Sequence, residues 1–285
     1  EMSFDWVGER VSPVDAKRVL ANVILGRVDA NWGPNNAFKY ATRGGSGEFY
    51  RRLAARLKSH IFYNKKAAKI DLAGRRVFFK DGSSASYDYL ITSIPLDKFI
   101  RASDAPADVK AAARGLRFNS GYVFGAGFRG PMDEIFEDKT WIYFPEGKYV
   151  FQRINVHSNY SKHVAPPGHW ALLFETSYSP KRRVSRREMK ENTMKYLRDQ
   201  KIISDKNRLV FLWESQMDYF YPIPILGGDT RLKKIQKYLM SKNVYSRGRF
   251  GAWRYEISNM DHSLLQGVEA ADNVVSGKKE SVWSL

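Results

Sequence analysis

Two stretches of this 285-residue chain set arginine, tyrosine and asparagine close together near expected strand ends. The first runs Trp141-Ile142-Tyr143-Phe144-Pro145-Glu146, then Phe151-Gln152-Arg153, then Ser158-Asn159-Tyr160. The second is Ser246-Arg247-Gly248-Arg249-Phe250-Gly251-Ala252-Trp253-Arg254-Tyr255-Glu256, followed by Asn259-Met260-Asp261-His262. A guanidinium forks onto phosphate oxygens and a phenol adds a directed hydrogen bond, so the combination suits a sugar diphosphate. The same residue types also occur as sheet-surface aromatics among solvent-facing arginines, and local sequence leaves both readings open.

Two glycine-rich segments invite comparison. Arg43-Gly44-Gly45-Ser46-Gly47 opens an expected helix, where backbone N–H groups can meet an anion or a flavin edge. It reads equally as a plain loop-to-helix junction. Gly125-Ala126-Gly127-Phe128-Arg129-Gly130 matches the dinucleotide fingerprint in letters only. A helix must open on that loop, and Pro131-Met132-Asp133 follows instead, so these glycines read as part of a strand that bends or lies close to a ligand. The histidines at 60, 157, 163, 169 and 262 have neither metal-ligand spacing nor acidic or thiol companions. No Ser-His-Asp set and no paired carboxylates in an apolar setting stand out. The basic run 181–187 reads as a solvated loop face that is also able to grip phosphate.

These residues need elements to hold them. An approximate helical stripe through Val11, Val14, Val19, Leu20, Val23 and Ile24 predicts helix over the first twenty-five residues. A second helix is expected over 48–57, and short strands from 61 to 92, including 76–80 and 89–93, before a helix at 96–101. Strands then dominate, at 122–128, 140–144, 149–155, 170–176 and 209–214. Helices are expected at 187–200 and 231–239, a last strand near 244–253, and a final helix over 261–275. The pattern predicts an α+β fold, with a mostly antiparallel sheet and segregated helices.

A hydrophobic content of 43% and an aromatic content of 14% supply a core and exclude a disordered chain. At ~150 residues per domain, about two domains are expected. The absence of cysteine excludes a disulfide scaffold, thiolate zinc sites and a cysteine nucleophile. No apolar run approaches the ~18 residues of a membrane span. The opening residues Glu1 to Trp6 have no signal-peptide character, so a cytoplasmic location is expected. Forty-seven Lys and Arg against 30 Asp and Glu give a formal net charge of +17. That balance points to anionic partners such as nucleotides, sugar phosphates, nucleic acid or another polyanion. One diphosphate needs only two or three cations, so the surplus has a separate cause.

Over nearly its whole length the chain resembles the eukaryotic-type UDP-galactopyranose mutases, within the FAD-containing group that includes the amine oxidases. The resemblance is carried by Trp6-Val7-Gly8-Glu9-Arg10-Val11, Asn22-Val23-Ile24-Leu25-Gly26, Asn31-Trp32-Gly33-Pro34-Asn35 and Arg43-Gly44-Gly45-Ser46-Gly47. It continues through the first Arg/Tyr stretch, Ser158-Asn159-Tyr160-Ser161 and Tyr221-Pro222-Ile223-Pro224. Its most specific part is Ser246 to Glu256, then Asp261-His262-Ser263 and Gly267-Val268-Glu269-Ala270. The resemblance implies an isomerase that interconverts the pyranose and furanose forms of a UDP-sugar through a flavin N5 adduct, with FAD in its reduced form and no net redox. It implies Arg153, Tyr143, Tyr221 and Tyr255 as the catalytic set on the diphosphate and sugar. Tyr160, Asn259, Arg43 and Trp32 would bind substrate beside them. Gly44, Gly45, Arg249, Met260, Asp261 and His262 would face the flavin.

The organisation so implied is a helical segment with the flavin-facing loop over 1–60, a return to the FAD-binding domain over 61–105, an antiparallel substrate domain over 106–243, and a final strand and helix at the flavin over 244–285. The family's strand, glycine-rich turn and helix for the ADP moiety have no counterpart here. Either a section upstream of Glu1 supplies them, or most of the FAD site is lost. Met260 stands where the family carries an amide side chain, and Glu48 replaces a glycine of the flavin loop, where a carboxylate would disfavour a reduced anionic flavin. Two alternatives stand beside the mutase reading: a non-catalytic relative that binds nucleic acid or a large assembly through basic surface, and an amine-oxidase-like flavin oxidoreductase.

Overall fold

The computed structural model describes residues 2–4, 6–7, 11, 14–29 and 37–283. In chain order its elements are helices α1 (Ala16–Ile24) and α2 (Ser46–Arg56), strands β1 (Ala67–Asp71), β2 (Arg76–Phe79), β3 (Ser84–Ser86) and β4 (Leu90–Thr92), and helices α3 (Leu96–Ala102) and α4 (Ala107–Arg114). Strands β5 (Arg117–Arg129), β6 (Trp141–Tyr143), β7 (Arg153–Val156) and β8 (His169–Tyr178) follow. Then come α5 (Arg186–Asp199), β9 (Arg208–Ile223), α6 (Gly228–Met240), β10 (Val244–Ser246) and α7 (Met260–Ser276). The fold is α+β, with helices set beside antiparallel sheets. Among the described residues no helix is long and apolar enough to cross a membrane.

The chain folds as two compact units, one of Glu1–Phe38, Phe62–Phe118 and Tyr221–Leu285, the other of Lys39–Ile61 and Asn119–Phe220. The second unit is built on a five-stranded sheet in the order β6-β7-β8-β5-β9. Along β8 the side chains alternate, so Trp170, Leu172, Phe174 and Thr176 are buried while their neighbours turn to the other face. The buried face meets Phe128, Phe151, Ile154 and the α5 residues Met189, Tyr196 and Leu197 in one apolar cluster. Helix α5 starts where Ser185 and Glu188 form a capping box, each satisfying the other's backbone N–H. Antiparallel register sets Tyr143 opposite Arg153, and Arg153 opposite Glu175. The three therefore form a row across β6, β7 and β8 on the face turned away from the core.

In the first unit β1, β2 and β3 form an antiparallel meander, while β4 and β10 pair in parallel. Helices α3, α4 and α6 bury Leu96, Phe99, Ile100, Val109, Leu232, Ile235 and Leu239 around them. Arg247 is buried there and holds Glu280 through two 2.6 Å hydrogen bonds, its guanidinium lying 3.6 Å from the Trp283 ring centroid.

Three sequence expectations change. Of the helix expected over the first twenty-five residues, α1 begins at Ala16, because the Asp15 side chain accepts from the amides of Lys17 and Arg18 and starts it there; among the described residues before it, Val7 is also helical. The apolar residues Val19, Leu20, Val23 and Ile24 are exposed and form no core. The strand expected over 244–253 ends at Ser246, since the chain then turns so tightly that any Cβ on Gly251 would collide with the Arg247 carbonyl. Helix α4 was not expected at all. Its Ala-rich sequence has strong helix propensity and begins after Pro106, and its buried face, Val109, Ala112 and Ala113, is made mostly of small side chains that mark an apolar pattern weakly. The letters of the dinucleotide fingerprint sit inside β5, where a Cβ on Gly127 would come 3.1 Å from Phe211 Cβ. Close packing of β9 over β5 accounts for that glycine.

Candidate functional site

In the sheet-based unit, Arg153 on β7 donates from Nη2 to Glu175 Oε2 at 2.6 Å and from Nη1 to the Tyr143 hydroxyl at 3.3 Å. Asn155, two residues along the same strand face, donates to Glu175 Oε1 at 2.6 Å. The Tyr160 hydroxyl in turn donates to Asn155 Oδ1 at 3.1 Å. Tyr160 ends the short turn His157–Tyr160 after β7, and its ring meets those of Tyr40, His157 and Trp141 with centroids 5.2, 5.4 and 6.1 Å away. Burial pushes the Tyr160 hydroxyl well above the usual tyrosine range, although Arg153 pulls the other way. Burial also lowers the His157 imidazole. The result is a guanidinium braced from behind by a carboxylate, with a half-exposed phenol to one side and an aromatic wall to the other. Such a group can take up an oxyanion without rearranging its backbone.

The glycine loop belongs to the same unit. The Ser161 hydroxyl donates to the Thr42 carbonyl at 2.6 Å and fastens the loop to the turn carrying Tyr160. Gly44 and Gly45 take φ of 78° and 66°, a region glycine enters without a Cβ penalty, and lead into α2. Arg43 lies close enough to His163 to add, after burial, to the depression of that imidazole. The Glu48 carboxylate is met by Arg52 at 2.7 Å and by Arg51 at 2.7 and 3.1 Å. These bonds hold it below the ordinary carboxylate range.

In the other unit, the Arg249 guanidinium lies 4.9 Å from the Tyr221 ring centroid, and its Nε donates to the Ser258 carbonyl at 2.9 Å. Tyr255 meets Tyr221 at 5.8 Å and Trp6 edge-on at 5.0 Å. Buried Gln266 on α7 accepts from Gly248 N and donates to the Ile257 carbonyl, both at 2.8 Å, which ties the turn after β10 to the start of α7. That tie sets Asn259, Met260, Asp261 and His262 at the helix entrance. Met260 and Asp261 are exposed. Arg254 pairs with Glu256 at 3.0 Å and Asp229 at 3.5 Å.

The residues expected from sequence thus fall into Tyr143, Arg153 and Tyr160 in one unit, with Arg43, Gly44 and Gly45 on its loop, and Tyr221, Arg249, Tyr255 and the 259–262 turn in the other. Trp32 lies outside the described residues. Glu175 and Asn155 were missed. Their signal was legible, since Glu175 interrupts the apolar run 170–174 and Asn155 follows Arg153 by two positions on a strand. The residues present fit a flavin. His262 Nδ1 is a buried polar atom with no hydrogen-bond partner among the described residues, in the first turn of α7, where backbone N–H groups are unmatched.

Comparison with known proteins agrees with this geometry. The model of the family described as flavin containing amine oxidoreductase matches residues 18–275. The solved structure of reduced UDP-galactopyranose mutase superimposes with a TM-score of 0.93 at 37% identity, covering 99% of this chain and 62% of that one. The chain thus spans about three-fifths of the mutase it matches. A redesigned putrescine oxidase gives a TM-score of 0.61 at 14% identity, covering 81% of this chain and 53% of that one. A CLA-producing fatty acid isomerase from P. acnes gives 0.59 at 14% identity, with 81% and 51% covered. These two share the fold alone.

Proposed function

The chain belongs to the flavin-containing amine oxidoreductases, and from that premise we propose that it serves a UDP-sugar mutase reaction, interconverting pyranose and furanose forms of the sugar. The observation that carries the reading is the likeness to reduced UDP-galactopyranose mutase over 99% of the chain at 37% identity. In support, Arg153 with Tyr143, and Arg249 with Tyr221 and Tyr255, bring together residue types that suit a nucleoside diphosphate-sugar.

Arg153 binds a phosphate oxygen through its fork, and Tyr143 adds a directed hydrogen bond. Under this reading Tyr221, Tyr255 and Asn259 in one unit and Tyr160 and Arg43 in the other are the further substrate contacts. Gly44 and Gly45 in the sheet-based unit, and Arg249, Met260, Asp261 and His262 in the other, are the residues that would hold FAD. When bound and reduced, the flavin supplies a nucleophilic ring nitrogen for the anomeric carbon. The protein's part is to position the sugar and to hold the charge of the departing UDP. A second reading, an amine-oxidase-like oxidoreductase, draws on the family match, but an amine substrate gives Arg153 no anion to bind.

The absorbance spectrum of the protein loaded with FAD, with and without dithionite and UDP-galactose, tests the reading. A flavin spectrum that changes on adding UDP-galactose to the reduced protein, with furanose product on chromatography, is expected. Oxidation of an amine with no response to UDP-galactose would overturn it.

A further inference from the structure

Glu175 follows an apolar run on β8, Trp170-Ala171-Leu172-Leu173-Phe174, and its side chain is only 12% exposed. A carboxylate so placed is costly unless its oxygens are satisfied. Both are, since Oε2 accepts from Arg153 and Oε1 from Asn155, each at 2.6 Å. An ionised carboxylate only accepts, so the Asn155 atom facing it is the amide nitrogen. That leaves Asn155 Oδ1 for the Tyr160 hydroxyl, 3.1 Å away. One side chain therefore orients an arginine directly and a tyrosine at one remove.

We propose that Glu175 is a positioning residue for an anionic ligand of this sheet face, aiming Arg153, fixing the Asn155–Tyr160 pair, and offsetting part of the pull of Arg153 so that the ligand can leave. The inference rests on the reading of Arg153 as a diphosphate contact. It adds to that reading a residue that touches no ligand and sets how tightly and how electrostatically the ligand is held. Glutamine at 175 keeps an acceptor for Arg153 and removes the charge, and its amide nitrogen can donate to Asn155 once the Asn155 amide turns over and offers its nitrogen to the Tyr160 hydroxyl oxygen. Alanine removes the acceptor and the partner alike.

Calorimetric titration with UDP and with uridine, repeated at low and high salt on wild type, Glu175→Gln and Glu175→Ala, tests the proposal. Glu175→Ala should weaken UDP binding at least tenfold. Glu175→Gln should restore it to wild-type strength or tighten it up to about tenfold, with a steeper loss as salt rises because the charge of Arg153 is no longer offset. Uridine, which carries no phosphate, should shift less than twofold in either variant. Glu175→Gln binding as weakly as Glu175→Ala, or showing the salt dependence of wild type, would overturn the role of Glu175 while the diphosphate reading stands. Should Glu175→Ala fail to fold, the salt dependence of Glu175→Gln decides alone. Wild type that ignores UDP would remove the diphosphate reading and this inference together.

Discussion

Arg153 draws its meaning from what surrounds it. An arginine on a strand face is ordinary, but one braced at 2.6 Å by a nearly buried carboxylate and flanked by two tyrosines keeps a fixed direction at little entropic cost on binding. The residue types were legible in the sequence. Their bracing was not, because Glu175 lies 22 positions from Arg153 and only the β7–β8 register brings the two together. His157 shows a second consequence of this packing. Its imidazole is half-buried beside Tyr40 and Tyr160, and that burial lowers its pKa below the ordinary 6.5. The unfolded chain then binds the extra proton more readily, so the stability contributed by neutral His157 is present in full above about pH 6.5 and falls as pH drops below it. Denaturant unfolding of wild type between pH 7.5 and 5 should show that decline, and His157→Phe should flatten it. An identical slope in the variant would assign the decline to other groups.

At the scale of elements, periodicity found the long strands of the sheet and helices α5, α6 and α7, because each carries an apolar face or a capping signal strong enough to read locally. Local backbone detail that periodicity does not carry decided the rest. The Asp15 side chain starts α1 at Ala16, and the close approach of Gly251 to Arg247 turns the chain where β-rich letters promised more strand. Helix α4 hid because its buried face is mostly alanine, and Ala112 and Ala113 inside cannot be told by type from the exposed Ala111. The glycines of β5 allow β9 to lie against it, so Gly127→Val should force Phe211 aside and cost about 1–3 kcal/mol of stability. Thermal unfolding measures the loss. UDP binding should be untouched, as Gly127 contacts none of the ligand-facing residues named above, and loss of a dinucleotide site without loss of stability would mean the fingerprint had been functional after all.

The molecule as a whole is two units, one organised by its sheet face and the other by the buried Arg247–Glu280 pair that fastens its last described residues. Removing one partner of such a pair strands the other's charge in the interior. Glu280→Ala should therefore cost about 3–5 kcal/mol, read as a lower unfolding midpoint, and a change within experimental scatter would mean that Arg247 finds another partner. The net charge of +17 exceeds what a diphosphate and a flavin call for, and ion pairs within the chain, such as Glu48 with Arg51 and Arg52 or Asp199 with Lys195, leave it unchanged because their acids are already counted. The proposed chemistry depends most directly on one interaction, that between Arg153 and a diphosphate. Calorimetric titration of wild type and Arg153→Ala with UDP measures it. Saturable binding by wild type, weakened by about 2–5 kcal/mol in the variant, is the expected result; no binding by wild type, or equal binding by both proteins, would contradict it.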